Sequence, residues 1–259
     1  MTKLLIDVGN TAIKWARFDA GALHGIEHAP HRGDVAAAAE ALRAAVRRGP
    51  RNLIVANVAG PQMAEALTRA ALAECGREPR FVTSKDRQCG VRNAYAEPRR
   101  LGVDRWAAMI AGHARSRAVR GGAASCIIGA GTAVTFDAVR EDGQHLGGLI
   151  IAGARLQAES LAARTSDIGL VASMGGPPGE GLAVLGRSTE TAVAHGAWLA
   201  IAGALTSAVD LVERSSSAKP VVYLCGGDAK TLRSWLTYPV SLRQDLVLEG
   251  LALISNAED

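Results

Sequence analysis

The chain carries one pattern twice: an apolar strand, a glycine-containing turn and a second strand. Leu4-Leu5-Ile6 runs through Asp7-Val8-Gly9-Asn10 into Ile13-Lys14-Trp15-Ala16-Arg17-Phe18. From Ala124 the pattern restarts, with Cys126-Ile127-Ile128, the turn Gly129-Ala130-Gly131-Thr132 and the strand Val134 to Val139. A turn at Glu141-Asp142-Gly143 then leads to a third run, Leu146 to Ile151. Gly-Asn between two β-like runs is a hairpin signal, because both residues tolerate positive φ. The repetition predicts two related lobes, each opening with a β-hairpin and divided near Gly121-Gly122, so that residues 1–120 form one and residues 121–259 the other.

Beyond each hairpin, alternating helical and strand patterns predict an α/β architecture. In the first lobe the expected elements are a helix from Val35 to Arg48 ended by Gly49-Pro50, a strand Leu53 to Val58, a helix Gln62 to Cys75 ended by Gly76, and a strand Arg80 to Thr83. A turn-rich stretch, Cys89 to Arg100, leads through Leu101-Gly102-Val103-Asp104-Arg105-Trp106 into a helix ending about Arg117. The second lobe reads as a helix Arg155 to Ala163, a Gly/Pro-rich loop Met174 to Gly179 and a long helix Thr189 to Leu211. It ends with a strand Val221 to Leu224 entering Gly226-Gly227, a helix Ala229 to Leu236 and a last helix Leu246 to Ser255.

Composition sets the class. With 259 residues, 48% of them hydrophobic, the chain has enough interior for a real core, and aromatics at 4% make that core one of Leu, Val and Ala. The net charge is +4 and basic clusters stand at Arg47 to Arg51, Arg99-Arg100 and Arg115 to Arg120. No stacking aromatics interleave with them, which argues against a nucleic-acid groove, whereas a polyanionic small molecule suits the same charge. Cys75, Cys89, Cys126 and Cys225 form no CxxC pair and no His/Cys cluster, so no structural zinc site is expected. Asp7 interrupts the only N-terminal apolar run, and no uninterrupted apolar stretch reads as long enough to span a bilayer. The expectation is a cytoplasmic enzyme with reduced thiols.

The turns carry the chemistry. Asp7 to Lys14 displays a carboxylate, a glycine turn, an Asn, a hydroxyl and a Lys within eight residues, which would hold a polyphosphate and its metal. An ordinary hairpin with polar residues accounts for the same segment, which by itself does not choose. No GxxxxGK[ST] loop exists, so a Walker-type site is excluded. Ile128-Gly129-Ala130-Gly131 begins like a dinucleotide fingerprint, but Val134 takes the third glycine position and a strand comes next where a helix is required. Phosphoryl transfer needs a cation to screen the phosphates and a carboxylate to accept the hydroxyl proton. Asp7 at a strand end suits the first role and Asp104 at a helix start suits the second, although a helix cap paired with Arg105 would also explain Asp104.

Four motifs in this order and spacing resemble the type III pantothenate kinases and the related Bvg accessory factor proteins. They are Asp7-Val8-Gly9-Asn10-Thr11, Leu101 to Trp106, Gly131-Thr132-Ala133-Val134-Thr135, and Gly147 to Gly153. The resemblance implies the acetate and sugar kinase/Hsp70/actin fold, two ribonuclease-H-like lobes with ATP between them. It implies transfer of the ATP γ-phosphate to the 4′-hydroxyl of pantothenate, the first step of coenzyme A synthesis, with Mg²⁺ accompanying ATP, in a homodimer. It assigns Asp7, Val8, Gly9, Asn10, Thr11, Ala12, Ile13 and Lys14 to the ATP phosphate loop, with Asp7 near the divalent metal, and Thr132 to a second ATP contact. Asp104 matches the catalytic base, and Tyr95, Gly102, Val103, Asp104 and Arg105 match the pantothenate positions. Thr189 matches a substrate contact placed across the dimer interface, and Gly226-Gly227 the adenosine-side turn.

One position departs from the family. Three residues before Thr132 its members usually carry an aspartate that binds a monovalent cation, K⁺ or NH₄⁺, and here that residue is Gly129. Two other functions compete with pantothenate phosphorylation. A regulatory accessory protein acting on transcription has only the basic charge in its favour, with no helix-turn-helix or zinc motif. A kinase of another small alcohol would share the fold, but the match at Tyr95 and Gly102 to Arg105 weighs against it.

Overall fold

The structure, a computed structural model, describes residues 2–47, 52–119, 122–175 and 181–257. In chain order it begins with strands β1 (Lys3–Val8), β2 (Ala12–Asp19) and β3 (Ala22–Pro30), helix α1 (Val35–Val46), strand β4 (Asn52–Asn57) and helix α2 (Pro61–Cys75). Short strands β5 (Arg80–Phe81), β6 (Arg87–Gln88) and β7 (Val91–Arg92) and a 3₁₀ turn at Pro98–Arg100 precede helix α3 (Val103–Arg117). The repeat comes next as β8 (Ser125–Ala130), β9 (Ala133–Val139), β10 (His145–Ala152), α4 (Ala154–Arg164), a 3₁₀ turn at Gly181–Val184 and α5 (Thr189–Ser215). The chain closes with β11 (Val221–Cys225), α6 (Ala229–Arg233), β12 (Ser241–Leu242) and α7 (Leu246–Ala257).

The described residues fall into two compact units, Met1–Ala114 with Asp245–Asp259, and Arg115–Gln244. The first holds a five-stranded sheet in the order β3-β2-β1-β4-β5. β1 runs antiparallel to β2 and parallel to β4, so it lies at the centre and needs apolar residues on both faces. Leu4, Ile6 and Val8 join Leu42 and Val46 of α1 and Met63 and Leu67 of α2 in one buried cluster. α7 packs on β1, β2 and β4. It meets α3 at Gly250, where a Cβ would run into the carbonyl of Ala107. Lys3, buried at the start of β1, donates through Nζ to the Ser255 carbonyl at 2.9 Å, satisfying an acceptor in the last turn of α7. The helix ends obey local rules: Asp34 accepts from the N–H groups of Ala36 and Ala37, Pro61 opens α2, and Gly76 at φ +65° closes it.

The second unit has the sheet order β10-β9-β8-β11-β12. β8 is antiparallel to β9 and parallel to β11, so the repeated hairpin seen in the sequence belongs to a repeated sheet topology. Its core joins Cys126, Ile128, Val134 and Phe136 to Trp198, Ile201 and Leu205 of α5.

Five expectations change. Neither Gly9 nor Asn10 adopts a positive φ, so the first turn is not a two-residue reversed hairpin. β3 has no counterpart in the expected elements, and α6 stops at Arg233 where a helix to Leu236 was expected. α7 belongs to the first compact unit although it comes after the second in sequence. Finally, α5 is long and apolar enough to cross a membrane by length and composition, with an 18-residue window of mean hydropathy 1.5. Its apolar face is used in the core of the second unit, which accounts for that composition. Arg48, Gly49-Pro50, Arg51, Arg120, Gly121 and residues 176–179 of the expected loop lie outside the described residues.

Candidate active site

Asp7 is the penultimate residue of β1, opposite Lys14 on β2 and Ala56 on β4. A carboxylate in the central strand loses water, and this desolvation is the largest of the effects that raise its pKa to about 7; the charge of Asp104 raises it further, against the opposing pull of Lys14. Lys14 also faces a second acid, Asp245, with Nζ to Oδ1 at 3.7 Å. The first unit therefore draws Asp7, Lys14 and Asp104 into one electrostatic neighbourhood. Among the described residues no three His, Cys, Asp or Glu side chains cluster as a metal cage. The donor set around Asp7 fits a divalent ion of the Mg²⁺ kind, which takes one or two carboxylates and completes its shell with phosphate oxygens and water.

Between β1 and β2 the chain turns through Gly9, Asn10 and Thr11, closed by the Gly9 N–H donating to the Ala12 carbonyl at 3.0 Å. A Cβ on Gly9 would lie 3.5 Å from that oxygen, an ordinary contact. Neither dihedral angle nor packing inside the unit demands glycine here. What its bare backbone provides is close approach for a ligand.

Asp104 lies in the first turn of α3 and its Oδ1 accepts from the Arg105 N–H at 2.8 Å. A Cβ on Gly102 would come within 2.7 Å of that Oδ1, so glycine makes room for the carboxylate to fold over the helix start. The Arg105 guanidinium donates to the Tyr95 hydroxyl at 3.2 Å, with its carbon 5.9 Å from the ring centroid. Tyr95 is held by Asn93, whose Oδ1 accepts the Tyr95 N–H at 3.0 Å and whose Nδ2 reaches the carbonyls of Lys85 and Pro98 at 3.3 Å each. Gln88 accepts from Trp106 Nε1 at 3.0 Å. Sequence reasoning missed Asn93 and Gln88. Asn in a turn-rich stretch was the one available signal, and it says turn before it says support.

In the second unit, Thr132 is exposed at the tip of the β8–β9 turn. The turn is closed by Gly131 N–H to the Ala133 carbonyl at 3.1 Å, and Gly153 N–H donates to the Thr132 carbonyl at 2.9 Å. Gly153 touches the backbone of Gly131 and Thr132 so closely that no Cβ fits. Gly226, at φ +100°, abuts Ala130 in the same way, and the Asp228 N–H donates to the Ala130 carbonyl at 3.1 Å. The structure thus gathers Thr132, Gly153 and the Gly226-Gly227 turn around the end of β8. Burial raises the Asp228 pKa, partly offset by Arg155. Gly153 and Asp228 carried no assigned role in the sequence reading. Thr189, the first residue of α5, is exposed beside a capping box formed by Ser188 and Thr191.

Gly129, the position expected to bear a cation-binding acid, has no carboxylate to offer. The Thr135 hydroxyl stands 2.8 Å from the point where its Cβ would be. The nearest acid along the motif, Asp137, is buried and bonded to His145 Nε2 at 3.1 Å. The carboxylate that the family usually carries at this turn therefore has no replacement among Gly129, Thr135 and Asp137.

Compared with known proteins, residues 3–211 match the family described as type III pantothenate kinase. The chain is 35% identical over 260 residues to the type III pantothenate kinase of Nitrosococcus oceani, covering 97% of this chain and 93% of that protein. It is 36% identical over 256 residues to the one from Chromobacterium violaceum, covering 98% and 99%. Among solved structures it resembles ethanolamine utilization protein EutJ from Carboxydothermus hydrogenoformans, with TM-score 0.52, 16% identity and coverage of 98% and 90%. It also resembles the inorganic polyphosphate/ATP-glucomannokinase from Arthrobacter sp. strain KM, with TM-score 0.51, 15% identity and coverage of 100% and 99%. These likenesses establish the acetate and sugar kinase/Hsp70/actin fold.

The raised pKa of Asp7 has a stability consequence. The folded carboxyl binds its proton more tightly than the unfolded one, so between about pH 4 and pH 7 folding takes up protons and stability falls as pH rises, levelling off above about 7. Asp7→Asn removes this penalty. Thermal unfolding without ligand should show the variant more stable than wild type at pH 8, by about 2–4 °C for each 1 kcal/mol relieved, with the gap closing towards pH 5. An unchanged gap across that range would mean Asp7 is not desolvated as described.

Proposed function

The chain belongs to the type III pantothenate kinase family and is an ATP-dependent pantothenate kinase, and from that premise we propose that it transfers the γ-phosphoryl group of ATP to the 4′-hydroxyl of pantothenate, the opening step of coenzyme A synthesis. The observation that carries this reading is the pair of acids in the first unit, a desolvated Asp7 in the field of Asp104. Two like charges held in a water-poor place are costly unless a cation and a reacting proton pass between them.

In this reading the loop Asp7 to Lys14 receives the ATP phosphates, through the bare backbone at Gly9 and the ammonium of Lys14. Val8, Ala12 and Ile13 shape the strand ends that hold it. Asp7 and the phosphates would hold Mg²⁺, which supplies charge screening when bound. Thr132 makes the second ATP contact through its exposed hydroxyl, with Gly226-Gly227 on the adenosine side. Tyr95 and the segment Gly102 to Arg105 take pantothenate. Asp104 accepts the hydroxyl proton at a carboxylate oxygen as the oxygen attacks phosphorus, and the Arg105–Tyr95 contact ties the two pantothenate-side residues together.

The enzyme works as a homodimer in the cytoplasm. None of the four cysteines forms a disulfide, which suits a reducing compartment. Large apolar side chains stand exposed in the second unit, among them Ile150 at 66% and Leu170 at 78%, as expected of a surface covered by a second copy. Thr189 would then reach substrate across the interface. Sedimentation at micromolar concentration should give a dimer, and a monomer at all concentrations refutes the assignment.

Two assays test the chemistry. With ADP release coupled to a reporter, Asp104→Asn should lower kcat about 10²- to 10⁴-fold while leaving the ATP KM within about threefold. Near wild-type turnover would remove Asp104 from the base role. Because Gly129, Thr135 and Asp137 provide no free carboxylate for a monovalent cation, turnover should be the same within about twofold when K⁺ is replaced by Na⁺ or by an organic cation at constant ionic strength. A collapse of turnover without K⁺ or NH₄⁺ would show that other groups supply such a site.

A further inference from the structure

His31 plays no part in the motifs or in the function proposed above, yet it is 3% exposed and points at the turn between β1 and β2. Its Nδ1 accepts the Gly33 N–H at 3.0 Å, which leaves Nε2 to carry the ring proton. Nε2 then donates to the Gly9 carbonyl at 2.9 Å. The backbone around it adds two more ties, since the N–H groups of His31 and Arg32 both donate to the Thr11 carbonyl at 2.8 Å. The segment that presents these donors is a tight one: Arg32 has φ +49° and Gly33 φ +85°, and the Asp34 N–H closes the turn on the His31 carbonyl at 2.7 Å. Asp34 then caps α1, so the turn is anchored to a helix at one end and to β3 at the other.

Peptide planarity gives these bonds a consequence. In a trans peptide the C=O and the next N–H point in opposite directions. A Gly9 carbonyl drawn towards His31 therefore turns the Asn10 N–H to the other side of the loop. Asn10 is exposed, so an N–H turned that way is open to a ligand, and if the loop holds ATP an N–H held in advance costs no reorganisation when a phosphate arrives.

We infer that His31, as the neutral imidazole protonated at Nε2, is a positioning residue for ATP, fixing the Gly9–Asn10 peptide so that its N–H faces the phosphates. The inference rests on the reading of Asp7 to Lys14 as the phosphate loop. It requires no contact between His31 and either substrate.

Two substitutions separate the loop bond from the turn bond. His31→Asn keeps an acceptor near the Nδ1 position for the Gly33 N–H but cannot reach the Gly9 carbonyl. His31→Gln places an amide N–H near the Nε2 position and keeps the loop bond. In steady-state kinetics of the full chain, His31→Asn should raise the ATP KM about five- to tenfold, the scale of one hydrogen bond, with the pantothenate KM within about twofold. His31→Gln should restore the ATP KM to within about twofold of wild type. Equal effects of the two variants, an equal rise in both KM values, or a lowered Tm with no change in the ATP KM would each overturn the inference. Gly9→Ala is the companion measurement, because its methyl has room in the fold and would occupy only ligand space. A Gly9→Ala variant with unchanged ATP KM removes the phosphate-loop reading and the role of His31 with it. A raised ATP KM in Gly9→Ala beside an unaffected His31→Asn removes the role of His31 alone.

Discussion

A carboxylate at the end of a central strand is the constraint that the first unit is arranged around. β1 has a strand on either side and helices packed against it, so a carboxylate at position 7 gives up much of its hydration while keeping partial exposure. Apolar residues at positions 4, 5, 6 and 8 benefit from this and Asp7 does not, as its raised pKa records. Lys14, its cross-strand neighbour, offsets part of the cost, and Asp104 adds to it. A strand that holds a strained charge at a turn makes sense when a cation and an anionic ligand complete the arrangement. The position of α3, fixed by its packing around Gly250 and Ala107, keeps Asp104 in that neighbourhood.

The glycines divide by what they touch. Gly153, Gly226 and Gly250 lie so close to neighbouring backbone that any side chain would collide, so they serve the fold. Gly9 and Gly131 have room for a methyl group and ordinary dihedral angles, so the fold makes no demand for them. Both sit in turns at the ends of equivalent strands, β1 and β8, where bare backbone would meet a ligand. The repeated topology therefore repeats the shape of the turn, and the function proposed above gives both turns the same role. The echo is incomplete at Gly129, where the Thr135 hydroxyl stands near the place a longer side chain would need.

Much of the fold was legible in the sequence where local rules act. Apolar runs gave the central strands, Pro61 and Gly76 marked the limits of α2, and the restart at Ala124 announced the second sheet. β3 was invisible because most of it is exposed and its sequence, Ala22 to Pro30, does not alternate; pairing with β2 makes it a strand. α5 shows the opposite failure. Its composition passes for a membrane span, and only its packing against β8 and β9 explains why a core helix is so apolar. The Gly9-Asn10 turn was located correctly but for the wrong dihedral reason. Its closure by the Ala12 carbonyl and its ties to His31 involve residues that local turn rules do not weigh together.

For the site, the sequence by itself determined the chemical groups and their order: an acid and a lysine flanking a glycine turn, an acid at a helix start, and a hydroxyl in a second turn. Their spacing along the chain was enough to identify the family. Only the tertiary structure decided their state and their supports. Asp7 becomes a weak acid because burial and the distant Asp104 act on it together, and neither effect can be read from the residues beside it. His31 and Asn93 hold the candidate site residues Gly9 and Tyr95 through bonds spanning 22 and 2 positions, and Gln88 holds Trp106 of α3 across 18. Periodicity and turn chemistry report on what a residue does to its own backbone. Desolvation, field and long-range hydrogen bonds depend on which distant segments arrive beside it, and that is settled only when the sheet closes around β1.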